Sequence, residues 1–122
     1  MAAAFRVIIR RRDGETEKRR LPTLEDAVDT LELELRSVAS VIARAPRVER
    51  ALGRDYEPAE QVAVRGELRG PGGMRAVRAG VDVRGDGAMV AFTGVVRRRP
   101  IALEDREDAW AGLRREVGLA TR

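Results

Sequence analysis

A chain of 122 residues with 43% hydrophobic and 36% charged side chains has the size and balance of one folded domain, here taken to span residues 1–122. It contains no histidine and no cysteine, which excludes disulfides, thiolate nucleophiles, zinc-thiolate centres and every catalytic triad that needs an imidazole. The net charge is +4, and of the 24 basic side chains only Lys18 is a lysine. Arginine richness on this scale follows from GC-rich coding as readily as from selection for a bidentate cation, so it does not by itself signal nucleic-acid binding.

The amino-terminal stretch alternates Phe5, Val7 and Ile9 with Arg6, Ile8 and Arg10, then meets Asp13-Gly14, a strong hairpin signal. The apolar run Val7–Ile9 stops at Arg10, far too short for a signal segment or a membrane span, and a cytoplasmic protein with no membrane partner is expected. The returning strand, Glu15 to Leu21, is almost wholly charged, which suits an edge strand that must discourage pairing with other chains.

Pro22 and Thr23 open a helix, with Thr23 as N-cap and Asp26 in the capping-box position. Leu24, Val28, Leu31, Leu35, Val38, Ile42 and Ala45 recur at alternating steps of four and three, one continuous apolar stripe at the helical period. Acidic residues crowd the first half of this helix and arginines the second, the order that complements the helix dipole. Pro46 ends or kinks it, Arg47 to Leu52 with Gly53 could form one further turn, and the segment through Pro58 reads as loop.

From there the period changes to two. Val62, Val64 and Leu68 define one strand, Val77, Ala79, Val81 and Val83 a second, and Ala88 to Arg98 a third, joined at Gly70–Gly73 and Arg84–Gly87. Pro100 closes the sheet, and Glu104 to Val117 reads as a final helix burying Leu103, Trp110, Leu113 and Val117. The expected fold is α+β, an antiparallel sheet of four to five strands in the order ββαβββα with a long central helix and a carboxy-terminal helix. Helix, three strands, helix is also the order of a double-stranded RNA-binding domain, but Glu104, Asp105, Arg106, Glu107 and Asp108 stand where that family carries lysines.

No residue pattern points to a cofactor, a metal site or a catalytic centre. Ser37 and Ser40, the only serines, sit off the apolar stripe of the helix, and the carboxylates at Asp82, Asp86 and 104–108 match no calcium loop. Two binding surfaces remain. Leu33 is the one large apolar residue of the long helix opposite its stripe, among Asp26, Asp29, Ser37 and Ser40, and marks a surface for another protein or a second copy of the chain. The clusters Arg10, Arg11, Arg12 and Lys18, Arg19, Arg20 flank the first hairpin, and Arg97, Arg98, Arg99 end the last strand, so strands lying close together would form a basic ridge. The leading expectation is a non-catalytic, self-associating interaction module, and the alternative is electrostatic, sequence-independent binding of RNA or DNA.

Overall fold

The computed structural model describes residues 4–12, 14–44, 61–71, 78–94 and 97–119. Asp13, Ala45, Pro46, the turn and loop expected from Arg47 to Pro58, Gly72, Gly73 and Val77 lie outside the described residues.

Among the described residues eight elements follow one another: β1 (Phe5–Arg11), β2 (Thr16–Leu21), α1 (Leu24–Arg44), β3 (Val62–Arg69), β4 (Arg78–Arg84), β5 (Met89–Thr93), β6 (Arg99–Pro100) and α2 (Ala109–Glu116). The strands form one six-stranded sheet in the order β2-β1-β3-β4-β5-β6, antiparallel at every junction. Gly14, at φ +98°, turns the chain from β1 to the edge strand β2, and its amide donates to the Arg11 carbonyl. The β4–β5 turn is closed by the Gly87 amide donating to Arg84 and by Asp86 accepting from the Ala88 amide.

Helix α1 begins where the cap residues require. Thr23 Oγ1 accepts from the Asp26 amide at 3.0 Å, satisfying a donor that the first helical turn leaves without a partner. Val28, Leu31 and Leu35 are fully buried, and Leu24, Val38 and Ile42 pack against the same core. That core is the face made by Val7 and Ile9 of β1, Val64 and Leu68 of β3, Ala79, Val81 and Val83 of β4, and Ala91 of β5. Gly66 of β3 sits beneath the helix, and a Cβ there would stand 2.5 Å from Leu31 Cδ1 and 2.7 Å from Leu35 Cδ1. Its missing side chain sets how closely helix and sheet approach.

Helix α2 lies on the same face, over β4 and β5. Trp110 and Leu113 complete the core, and the indole Nε1 points at Met89 Sδ, 3.3 Å away. The buried Arg114 bridges to α1, donating to Asp29 at 2.8 Å and lying 2.6 Å from Glu32. Burial works against its charge, but these two carboxylates outweigh that effect and raise its pKa.

Two features depart from the expectation. The sheet has six strands because Gly94, at φ +93°, breaks the long apolar run after Thr93 and lets Arg99–Pro100 return beside Phe92 and Thr93. The last helix starts at Ala109, since Arg106 takes φ +65°, a left-handed conformation that no α-helix accommodates. Asp108 becomes the N-cap, accepting from the Ala111 amide at 2.8 Å, and Leu103 is half exposed instead of lining the helix core.

Candidate functional site

Both helices pack on one face of the sheet, so the other face carries no described element of structure. Alternation along each strand decides what that open face displays: wherever Val7, Leu68 or Ala79 points to the core, its neighbour points outward. The register then sets those outward residues side by side. Arg20 of β2 pairs with Arg6 of β1, Arg6 with Arg69 of β3, and Arg69 with Arg78 of β4, a row of four arginines across four strands.

The next row runs Lys18, Ile8, Glu67, Gly80, Phe92, Pro100, and the one after it Thr16, Arg10, Arg65, Asp82, Val90. Glu67 is 7% exposed and gathers three guanidinium groups, from Arg10 at 3.4 Å, Arg69 at 3.2 Å and Arg98 at 3.5 Å. Asp82 accepts a bidentate pair from Arg65, at 2.7 Å and 3.0 Å, which raises the Arg65 pKa against the opposing effect of burial. Phe92, 4% exposed, lies beneath the guanidinium groups of Arg65 and Arg98, 5.6 Å and 5.7 Å from its ring centroid.

The two buried carboxylates therefore hold the middle of the face flat and partly neutralised. The arginine row differs. Arg6, Arg20 and Arg78 form no ion pair among the described residues, whereas Arg10, Arg65, Arg69 and Arg98 on the same face do. Across the three rows together with Arg98, eight basic side chains stand against two carboxylates, a larger positive excess than the +4 of the whole chain. The remainder of the molecule is correspondingly acidic. A crevice of about 10 Å³ beside Arg69, Arg78 and Arg98 has room for one water molecule, so an anion must engage these groups from outside.

The residues expected to form a basic ridge separate in the structure. Arg10, Lys18, Arg20 and Arg98 reach the open face, as described above. Arg11 and Arg19 point to the helix side, where Arg11 pairs with Glu17 at 3.1 Å and Arg19 with Glu34 at 3.0 Å. Arg12 donates to Gln61 at 2.6 Å. Arg97 is exposed beyond β5, and Arg99 lies in β6 at the sheet edge opposite to β2. Leu33 is 73% exposed on α1, beside the α1–α2 groove lined by Arg36, Asp108 and Trp110.

Arg6, Arg65, Arg69 and Arg78 were not singled out by sequence. A signal did exist, since the outward positions of β1, β3 and β4 are repeatedly basic, but only the register turns that repetition into a row. Among the described residues no group of His, Cys, Asp or Glu is placed to hold a metal ion, and no helix is long and apolar enough to cross a membrane. The described residues define an α+β fold whose sheet is covered by helices on one face and lined by arginines, with no described element over it, on the other. No protein-family model, curated protein or solved structure matches the chain.

Proposed function

We propose that the chain is a non-catalytic, sequence-independent nucleic-acid-binding module whose open sheet face docks on the phosphate backbone. The observation that carries this reading is the row Arg20, Arg6, Arg69, Arg78, in which like charges are register neighbours and three of the four lack a carboxylate among the described residues. Like charges directly opposite one another in a sheet are destabilising, so the row costs the fold energy that a bound polyanion would return. An acidic helix layer behind the basic face gives the molecule a polarity that steers this face toward a polyanion.

An anionic membrane would meet the same charges. Interfacial binding, however, also needs apolar side chains to enter the bilayer, and the large apolar residues of this face among the described residues, Ile8 and Phe92, are both buried. A cytoplasmic setting belongs to the same proposal.

The test is fluorescence anisotropy with a labelled polynucleotide over a salt series. With four phosphates engaged by the row on a duplex, log K should fall against log salt with a slope of about −3.6, an affinity loss of about 150-fold between 50 and 200 mM. The Arg6→Gln/Arg20→Gln/Arg78→Gln variant should lose most of the affinity and about three-quarters of that slope, while Arg99→Gln at the far edge should retain both. Equal binding by both variants, or tighter binding to phosphatidylserine vesicles than to polynucleotide, would overturn the reading.

A second reading, association with another copy of the chain, is supported by α1. Leu33 and Val41 are 73% and 66% exposed on one side of that helix, with Ser37 and Ser40 between them, Asp26 toward the helix start and Arg44 at its end. An antiparallel copy would set Asp26 of one helix near Arg44 of the other across the small and apolar centre. Light scattering at tens of micromolar should then give more than the 13.5 kDa of a monomer, and Leu33→Asp should abolish the excess. A clean monomer would remove this reading and leave the first untouched.

A further inference from the structure

Resting on the nucleic-acid reading of the open face, we infer that the partner is double-helical nucleic acid and not a single strand. Single-strand binders that lack sequence preference draw much of their affinity from bases stacked on exposed aromatic rings. Among the described residues, the one aromatic ring of the open face, Phe92, is closed off by guanidinium groups of Arg65 and Arg98. Freeing the ring would break the bidentate Arg65–Asp82 pair and the Arg98–Glu67 contact together. The described residues of this face therefore offer no free ring for base stacking, and what they present is an array of cations.

For cations alone, the duplex is the better ligand. It presents a phosphate charge about every 1.7 Å along its axis, against about every 3.4 Å for one strand, and releases more counterions per contact. Its backbone is also already ordered, whereas a single strand must be immobilised along the row with no stacking to offset the lost freedom. The row itself is preorganised. Neighbouring strands fix its members at about 4.8 Å intervals, so the four arginines span about 14 Å, and Glu67 restrains Arg69 within it. A rigid helical backbone can engage such a row without either partner rearranging.

Competition binding at 100 mM salt tests this with a 24-base-pair DNA duplex, the RNA duplex of the same sequence, and one strand in isolation, each against the full chain and the Arg6→Gln/Arg78→Gln variant. The expected result is that at least one duplex binds about tenfold or more tightly than the single strand, with a salt slope nearer −0.9 than −0.7 per contact, and that the variant loses this advantage. A single strand binding within tenfold of both duplexes would overturn the inference while leaving an electrostatic nucleic-acid module in place. Binding to none of the three would overturn that underlying reading as well. Circular dichroism of the variant, unchanged from the parent chain, separates lost contacts from lost fold.

Discussion

Arg6 of β1 and Arg69 of β3 face each other as register partners on the open side of the sheet, with Arg20 on the other flank of Arg6. Arg69 is restrained by Glu67, while Arg6 has no ion-pair partner among the described residues. Removing the Arg6 charge should therefore stabilise the fold. Arg6→Gln is expected to add about 0.2–1 kcal/mol through loss of like-charge repulsion and, at the same time, to weaken polyanion binding. Thermal melting at low ionic strength checks the first effect, which should shrink as salt screens the row. A destabilised variant would mean that Arg6 contributes packing to the sheet face and not repulsion.

Glu67→Gln should move both properties the opposite way. The carboxylate is the common partner of Arg10, Arg69 and Arg98, and its loss leaves three cations without their counter-charge. Because those arginines are one-third to one-half exposed, water compensates in part, and a loss of about 1–3 kcal/mol is expected, below that of a fully buried pair. Polyanion affinity should rise, since a negative charge has left the face. Denaturant melts together with binding measurements check the pair of effects.

On the helix side, Leu35 is fully buried and Leu33 is 73% exposed. Leu35→Ala should cost about 2–5 kcal/mol through lost burial and the cavity left under α1, whereas Leu33→Ala should stay within about 0.5 kcal/mol. Leu35→Asp should abolish folding, and Leu33→Asp should preserve the helical circular dichroism signal. Equal losses at the two positions would place the buried stripe on the wrong side of α1.

Gly80 gives a test of close packing within the sheet. A Cβ on Gly80 would overlap the carbonyl oxygen of Gly66 on β3 and meet Phe92 Cζ at 2.7 Å. Because a backbone atom of a central strand cannot step aside, Gly80→Ala should destabilise by about 1–3 kcal/mol despite adding a single methyl group. Chemical denaturation measures the change, and a neutral outcome would mean that β3 and β4 tolerate a shift in their pairing.

Without histidine or cysteine, almost nothing in the chain titrates near neutrality, so the melting temperature should be flat from about pH 6 to 9 at fixed salt. On the acid side two carboxyls among the described residues, Glu107 and Asp108, bear on stability. Arg115, helped by the Glu104 amide, holds Glu107 below the usual carboxylate range, and the Ala111 amide, helped by Arg36, does the same for Asp108. A depressed folded pKa contributes stability in full above the unfolded value, near 4, and loses it as the pH falls through the folded value. Acid melting should therefore begin below about pH 5, and Asp108→Asn should move part of that loss to neutral pH. A thermal-shift series in buffers of matched ionic strength reads this directly, and a transition near pH 7 would contradict it.

Local sequence signals determined the helix from Leu24, its Thr23 cap, the first hairpin and the inward faces of β1, β3 and β4, because each follows from side chains recurring at 3.6 or 2 residues, or from cap and turn residues, within a single segment. It also limited the chemistry, since a chain without histidine or cysteine cannot run imidazole or thiolate catalysis wherever it folds. Strand order and register were decided only by the tertiary structure. They depend on contacts between residues far apart in the chain, and a slip of one position in any of the four strands would have turned that strand's arginine to the other face. That is why the clusters 10–12 and 18–20 stand out along the chain while Arg6, Arg69 and Arg78, each isolated within its own strand, join Arg20 in the row across four strands. The helix break at Arg106 and the extra strand after Gly94 were hidden for a related reason: both rest on backbone conformations that residue type permits but does not dictate.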